Sequence, residues 1–135
     1  MGLKDSTIMP VIAVDDLDRA ITFYRDKLGF NVRQLEQDPT SALVEVGSSD
    51  RLLLYKSSYK RGETTVASFL VDDVPGAVRD LRDKGITFED YDLPGLKTVD
   101  GVATLGDLQS AWFKDSEGNT IAVTTEVSEV MRRAA

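Results

Sequence analysis

The chain has 135 residues, 41% of them hydrophobic and 29% charged, a composition that supports a packed core and excludes a disordered or fibrous chain. Sixteen basic against twenty-three acidic residues leave a net charge of −7, the wrong sign for gripping a nucleic-acid backbone. There is no cysteine and no histidine, which excludes disulfides, thiolate or imidazole metal ligands and any nucleophile–histidine pair.

The first segment, MGLKDSTIMP, lacks the basic start and apolar run of a secretory signal. No stretch approaches the roughly 18 apolar residues of a membrane span, so a cytoplasmic protein with no membrane partner is expected. Gly2 and Ser6 fit a loose myristoylation pattern, for which a solvated tail is the simpler explanation. IMPVIAV from Ile8 has strand character. In VDDLDRAITFYRDKLGF, from Val14, the apolar Leu17, Ala20, Ile21, Tyr24 and Leu28 recur at helical spacing, with Asp16 as N-cap and Gly29 as stop. FNVRQLE, SALVEV and RLLLYK follow as strands, with GSSD as the last turn. TVASFLV from Thr65 is again a strand. VDDVPGAVRDLRDKGITF then repeats the helix, with Val74, Ala77, Val78 and Leu81 on its stripe, Asp73 as N-cap, Pro75 early and Gly85 as stop. ITFED, QSAWFK and NTIAVTT read as strands and DSEGN as a hairpin turn. LPGLKTVDGVATLGD, from Leu93, reads as a long loop, either a lid or a surface excursion. In the closing TEVSEVMRRAA, Val127, Val130 and Met131 are spaced to dock as a helix, on a neighbour or on their own domain.

Val14-Asp15-Asp16 aligns with Val71-Asp72-Asp73, and Arg25-Asp26-Lys27 with Arg82-Asp83-Lys84, at an offset of 57 residues. The last strands align at 69, so twelve extra residues sit in the second copy, where the Leu93 loop lies. A duplicated unit follows, each copy running strand, helix, strand, strand, strand. The expected class is α+β: one domain over residues 1–135, with modules at about 7–60 and 64–126 and a tail at 127–135. The RDK clusters read as solvated helix faces.

The doubled βαβββ pattern, with VDDLDRAITFYRDKLGF near one end and FKDSEGNTI near the other, resembles the vicinal oxygen chelate superfamily. That group includes glyoxalase I, extradiol dioxygenases, fosfomycin-resistance enzymes and bleomycin-resistance proteins. The resemblance implies that two units enclose a cavity within a cupped mixed sheet, and that the chain is a homodimer. In metal-dependent members His, Glu or Gln ligands stand on the first and last strand of each unit. Carried over by position, those sites fall at Met9, Leu53, Val66 and Ala122. All four are apolar here, and a divalent ion is costly to desolvate among groups with no donor atoms. No metal and no other cofactor is therefore expected.

Strand alternation puts Met9, Val11 and Ala13 on the cavity face, with Val66, Ser68 and Leu70 as their second-copy set. Leu53, Tyr55, Ser110, Trp112, Ala122 and Thr124 point the same way, forming an apolar wall with hydroxyls and two aromatic rings. Trp112 is the strongest candidate for stacking on a planar ligand, then Tyr55. Glu45, the acid inside SALVEV, shares a face with Leu43 and is a candidate proton acceptor or cation partner, or a solvent-exposed edge residue. Tyr91, Lys97 and Asp100 are secondary candidates. The expected function is metal-independent binding of a hydrophobic or aromatic small molecule, by sequestration or sensing. The alternative is a glyoxalase-like lyase or isomerase, or a dioxygenase-type enzyme, cofactor-free or using unorthodox carboxylate ligands.

Overall fold

In a computed structural model that describes residues 3–5, 8–58 and 64–126, the chain divides into two compact units, Met1–Lys60 and Arg61–Ala135. The readings for Gly2, Ser6 and the segment from Val127 fall outside the described residues.

The first unit runs β1 (Val11–Val14), α1 (Leu17–Thr22), β2 (Asn31–Gln34), β3 (Ser41–Val46) and β4 (Asp50–Lys56). The Asp16 carboxylate accepts the Arg19 N–H at 3.0 Å and starts α1, as its place before the apolar stripe requires. Over Phe23–Lys27 the helix widens into a π turn, with the Leu28 N–H donating to the Phe23 carbonyl at 3.1 Å. The cause is one extra residue: Lys27-Leu28-Gly29 stands where the second copy has Lys84-Gly85. A π turn absorbs an added residue without moving the stop, and Gly29, at φ 83°, still ends the helix.

The four strands lie in the order β1-β4-β3-β2, with β1 parallel to β4 and the other pairs antiparallel. Alternation sends Ile12, Val14, Ala42, Val44, Leu52 and Leu54 to the buried face, where Leu17, Ala20 and Tyr24 of the helical segment are also buried. Cutting Leu54 back to alanine at such a site costs about 2–5 kcal/mol. Met9 lies two residues ahead of β1 and 40% exposed, so the strand expected from Ile8 is shorter and leaves Met9 outside the sheet. Pro10 ends the pairing, because it has no N–H to give; its carbonyl accepts the Leu53 N–H at 2.9 Å. At the entry to β3, Asp38 accepts from the Thr40 N–H and hydroxyl and from the Ser41 hydroxyl. These bonds, the Thr40 hydroxyl foremost, hold its carboxyl below the usual 3.8.

The second unit runs β5 (Thr65–Val71), α2 (Val74–Asp83), β6 (Asp92–Leu93), β7 (Leu96–Val99), β8 (Val102–Leu105), β9 (Leu108–Lys114) and β10 (Thr120–Thr125). Its sheet order is β5-β10-β9-β8-β7-β6, with β5 parallel to β10. Asp73 caps α2 through the Gly76 N–H at 3.1 Å, and Gly85, at φ 90°, stops it. The DSEGN hairpin is organised by Asp115, whose carboxylate accepts from the backbone N–H groups of Glu117 and Asn119, each at 2.9 Å.

Residues 93–107 are not the loop expected. They form β7, β8 and part of β6, joined by two-residue turns at Pro94-Gly95, Asp100-Gly101 and Gly106-Asp107. Asp100 and Gly101 both take positive φ, 53° and 81°, the geometry that lets a two-residue turn follow the twist of its strands. Conversely, ITFED forms no strand and contributes one bridge, Phe88 to Phe113. β8 already occupies the edge of β9 from Leu108 to Ser110, which leaves that segment little backbone to pair with.

The duplication is exact in register. Val11 pairs with Leu53 and Ser68 with Ala122; Ala13 pairs with Tyr55 and Leu70 with Thr124. First-strand partners differ by 57 and last-strand partners by 69, so the twelve added residues leave the frame of each unit untouched.

Two outcomes follow from the turns and caps. A Cβ at Gly76 would lie 2.3 Å from the Asp73 carboxylate. Gly76→Ala therefore lowers stability in urea unfolding, against the roughly 1 kcal/mol that helix propensity favours, and in an Asp73→Ala background, itself costing about 1 kcal/mol, the same change becomes neutral or stabilising. For Asp38, the depressed folded pKa means a contribution fully present above the unfolded value and lost as pH falls through the folded one. NMR titration of its carboxyl carbon gives a midpoint below that of an unstructured peptide, and substituting Thr40 and Ser41 by alanine moves the midpoint back up.

Candidate functional site

Each sheet has a face turned away from its helix, and most of the candidates on the strands lie on that face of their own unit. In the first unit Val11, Ala13, Leu53 and Tyr55 share that face with Ser41, Leu43 and Glu45, as the β1–β4 and β3–β4 registers require. Glu45 is not at a sheet edge, since β3 lies between β4 and β2. Its Oε1 receives the Arg33 guanidinium at 2.7 Å from the edge strand β2. The Arg33 side chain is 72% exposed, so the pair is of the solvent-screened kind, worth about 0–1 kcal/mol. Glu45 nonetheless has a resident counter-charge.

In the second unit Ser68, Ala122 and Trp112 form one row across β5, β10 and β9, and Leu70, Thr124 and Ser110 form the next. Val66 sits at a register shift in β5, unpaired between Thr65 and Ala67 and 40% exposed. The hydroxyls of Ser68 and Ser110 both donate to Thr124 Oγ1, at 2.7 and 3.2 Å. Three hydroxyls joined by two bonds leave one O–H proton to offer a ligand. Beside them the Trp112 ring meets Tyr91 edge-on, with centroids 5.5 Å apart and planes at 82°. Ala122, directly opposite Trp112 in the ladder, presents only a methyl group and is itself 3% exposed.

Tyr91 is thus brought to the face that carries Trp112, while Lys97 and Asp100 are not. They line a separate cleft on the α2 side, with Arg79 and Arg82. Arg82 belongs to an RDK cluster that reads from sequence as a solvated helix face, and nothing local in the sequence singles out Arg79. The signal that could have raised Arg82 was the Asp100-Gly101 turn, because the Arg82 guanidinium donates to the Asp100 carbonyl at 3.0 Å.

The four positions that the family resemblance assigns to metal ligands all carry apolar side chains. Leu53 stands beside Val11 and Ala122 beside Ser68, while Met9 lies outside the sheet and Val66 at a register shift. Among the described residues no group of three or more acidic side chains is placed to hold a metal ion. No helix among the described residues is long and apolar enough to cross a membrane.

Residues 7–123 match the family model of the Glyoxalase/Bleomycin resistance protein/Dioxygenase superfamily. The chain belongs to that superfamily. No curated protein sequence matches significantly. Among solved structures, UcmS2 superposes with a TM-score of 0.72 at 21% identity, over 92% of this chain and all of the other. A superfamily member from Sphaerobacter thermophilus gives 0.70 at 22% identity, with the same coverage. The fosfomycin resistance protein FosX from Mesorhizobium loti gives 0.62 at 13% identity, over 99% of this chain and all of the other. At these identities the likeness is one of fold.

Proposed function

We propose that this member of the superfamily is a metal-independent binding protein for a hydrophobic or aromatic small molecule, acting by sequestration or sensing. The observation that carries the proposal is the second-unit face, where the Trp112 and Tyr91 rings stand beside a hydroxyl chain with one proton to give. An aromatic wall with a few placed polar groups is the usual makeup of a small-molecule site. The apolar Met9, Leu53, Val66 and Ala122 support the metal-independent part, because no donor replaces the water shell of an ion there. The net charge of −7 favours neutral or cationic ligands at this face. A resistance function is stated in the name of the FosX relative. Of the acid-base candidates for the catalytic alternative, Glu45 is paired with Arg33. We further propose that the chain acts in the cytoplasm as a homodimer, which sedimentation reports directly.

Trp112 is the single tryptophan, so its fluorescence reports this face alone. Titration with planar aromatic probes, one neutral naphthalene and one cationic acridinium, quenches it and raises the melting temperature, since binding to the native state stabilises it. Trp112→Ala weakens binding by roughly three- to tenfold, the worth of one aromatic contact, and Glu45→Gln leaves it unchanged. Absence of any thermal shift or fluorescence change across the probes overturns the proposal. Treatment with chelator, or supplementation with zinc, nickel or manganese, leaves the melting temperature and probe affinity where they were; a stoichiometric metal in elemental analysis of the purified protein overturns metal independence.

A further inference from the structure

A cavity of the Arg61–Ala135 unit lies on the face of its sheet opposite the Trp112 face. About 620 Å³ in volume, it opens between α2 and strands β7, β8 and β9. Pro75, Val78, Val99 and Val102 supply its apolar lining. Val99 is the telling member, because it stands 68% exposed on a strand whose alternate residues could equally have been polar. An isolated exposed valine is ordinary, but one on the wall of a cleft this size offers a ligand contact area.

The charges around this cleft oppose the rest of the chain. Arg79, Arg82 and Lys97 line it with one carboxylate, Asp100, in a protein whose overall charge is −7. Arg79 and Arg82, three residues apart, project from one face of α2, and Lys97 comes from β7. Among the described residues neither Arg79 nor Lys97 has a side-chain hydrogen bond or ion pair. Arg82 is held by neutral groups: it donates to the Asp100 carbonyl at 3.0 Å and lies over the Phe88 ring at 5.8 Å. Gly101 makes room for it, since a Cβ there would come within 2.9 Å of the guanidinium. A guanidinium positioned by a carbonyl and a ring keeps its full charge for an incoming anion.

We propose that this cleft binds a small organic anion with an apolar body, its carboxylate taken by Arg79, Arg82 and Lys97 and its body laid against Val99 and Val102. The site is separate from the Trp112 face: Thr98 pairs with Ala103 on the Trp112 side, so Lys97 and Val99 point to the α2 side. It selects the opposite ligand charge from the one favoured there.

The test is a heteronuclear NMR titration of the full chain with naphthalene-2-carboxylate, and with naphthalene-2-carboxamide as its neutral counterpart. The carboxylate is expected to give saturable shifts at the amides of α2 and of residues 97–102, weakened by added salt, with the carboxamide at least roughly tenfold weaker. Arg79→Gln combined with Lys97→Gln, both at exposed positions, lowers carboxylate affinity by roughly tenfold or more and leaves the melting temperature unchanged. Trp112 fluorescence stays constant during the carboxylate titration, which separates this site from the aromatic face. Equal binding of the carboxamide at the amides of α2 and residues 97–102, carboxylate shifts confined to the Trp112 face, undiminished affinity in the double variant, or no saturable shift at millimolar probe would each overturn the proposal. So would concentration-dependent shifts at Val99 without probe, accompanied by dimerisation through this face.

Discussion

Parallel pairing of the first strand with the last is the constraint from which each unit takes its form. β1 hydrogen-bonds to β4 and β5 to β10, and the chain between must travel out through a helix and return. A parallel pair cannot be closed by a tight turn, so the helix is obligatory, and it covers one face of the sheet. Alternation then does the sorting. Ile12, Val14, Leu52 and Leu54 go under α1, while Val11, Leu53 and Tyr55 are turned the other way. The second unit applies the same rule to Ile121 and Val123 against Ala122 and Thr124. Every candidate ligand contact on these faces owes its direction to that pairing.

Much of this was legible in the residues. Asp16 and Asp73 had the right chemistry at the right distance before an apolar stripe, and both accept the expected backbone N–H. The offsets of 57 and 69 reappear in the strand registers because a duplicated frame tolerates insertion at its margins but not within the paired strands. The apolar character of Leu53 and Ala122 was equally plain. What failed was the region after Leu93. The offset between the copies marks it as an insertion and says nothing of its structure, although Asp100-Gly101 between apolar neighbours is a strong short-range hairpin signal. Turn residues spaced two apart from short strands look like a loop when each strand has only two to four residues.

The α2 cleft was illegible for a different reason. Arg79, Arg82 and Lys97 come from a helix and a strand separated in sequence by a turn, a bridge and two residues of β6. No local pattern links them. Glu45 and Arg33 met in the same way, across strands, turning a candidate reactive acid into half of an ion pair. Tertiary pairing of charges is what sequence periodicity cannot supply, since it reports faces and not partners.

The residues added in the second copy extend the sheet outward until it ends at β6, a strand of two residues carrying Asp92 and closed by Pro94. Open backbone at a sheet margin invites other chains to add themselves, and a very short terminal strand with a charge and a proline offers them little purchase. The added segment therefore finishes its sheet with a selvedge. On that side the protein is guarded against lateral accretion into fibres, even in a crowded solution.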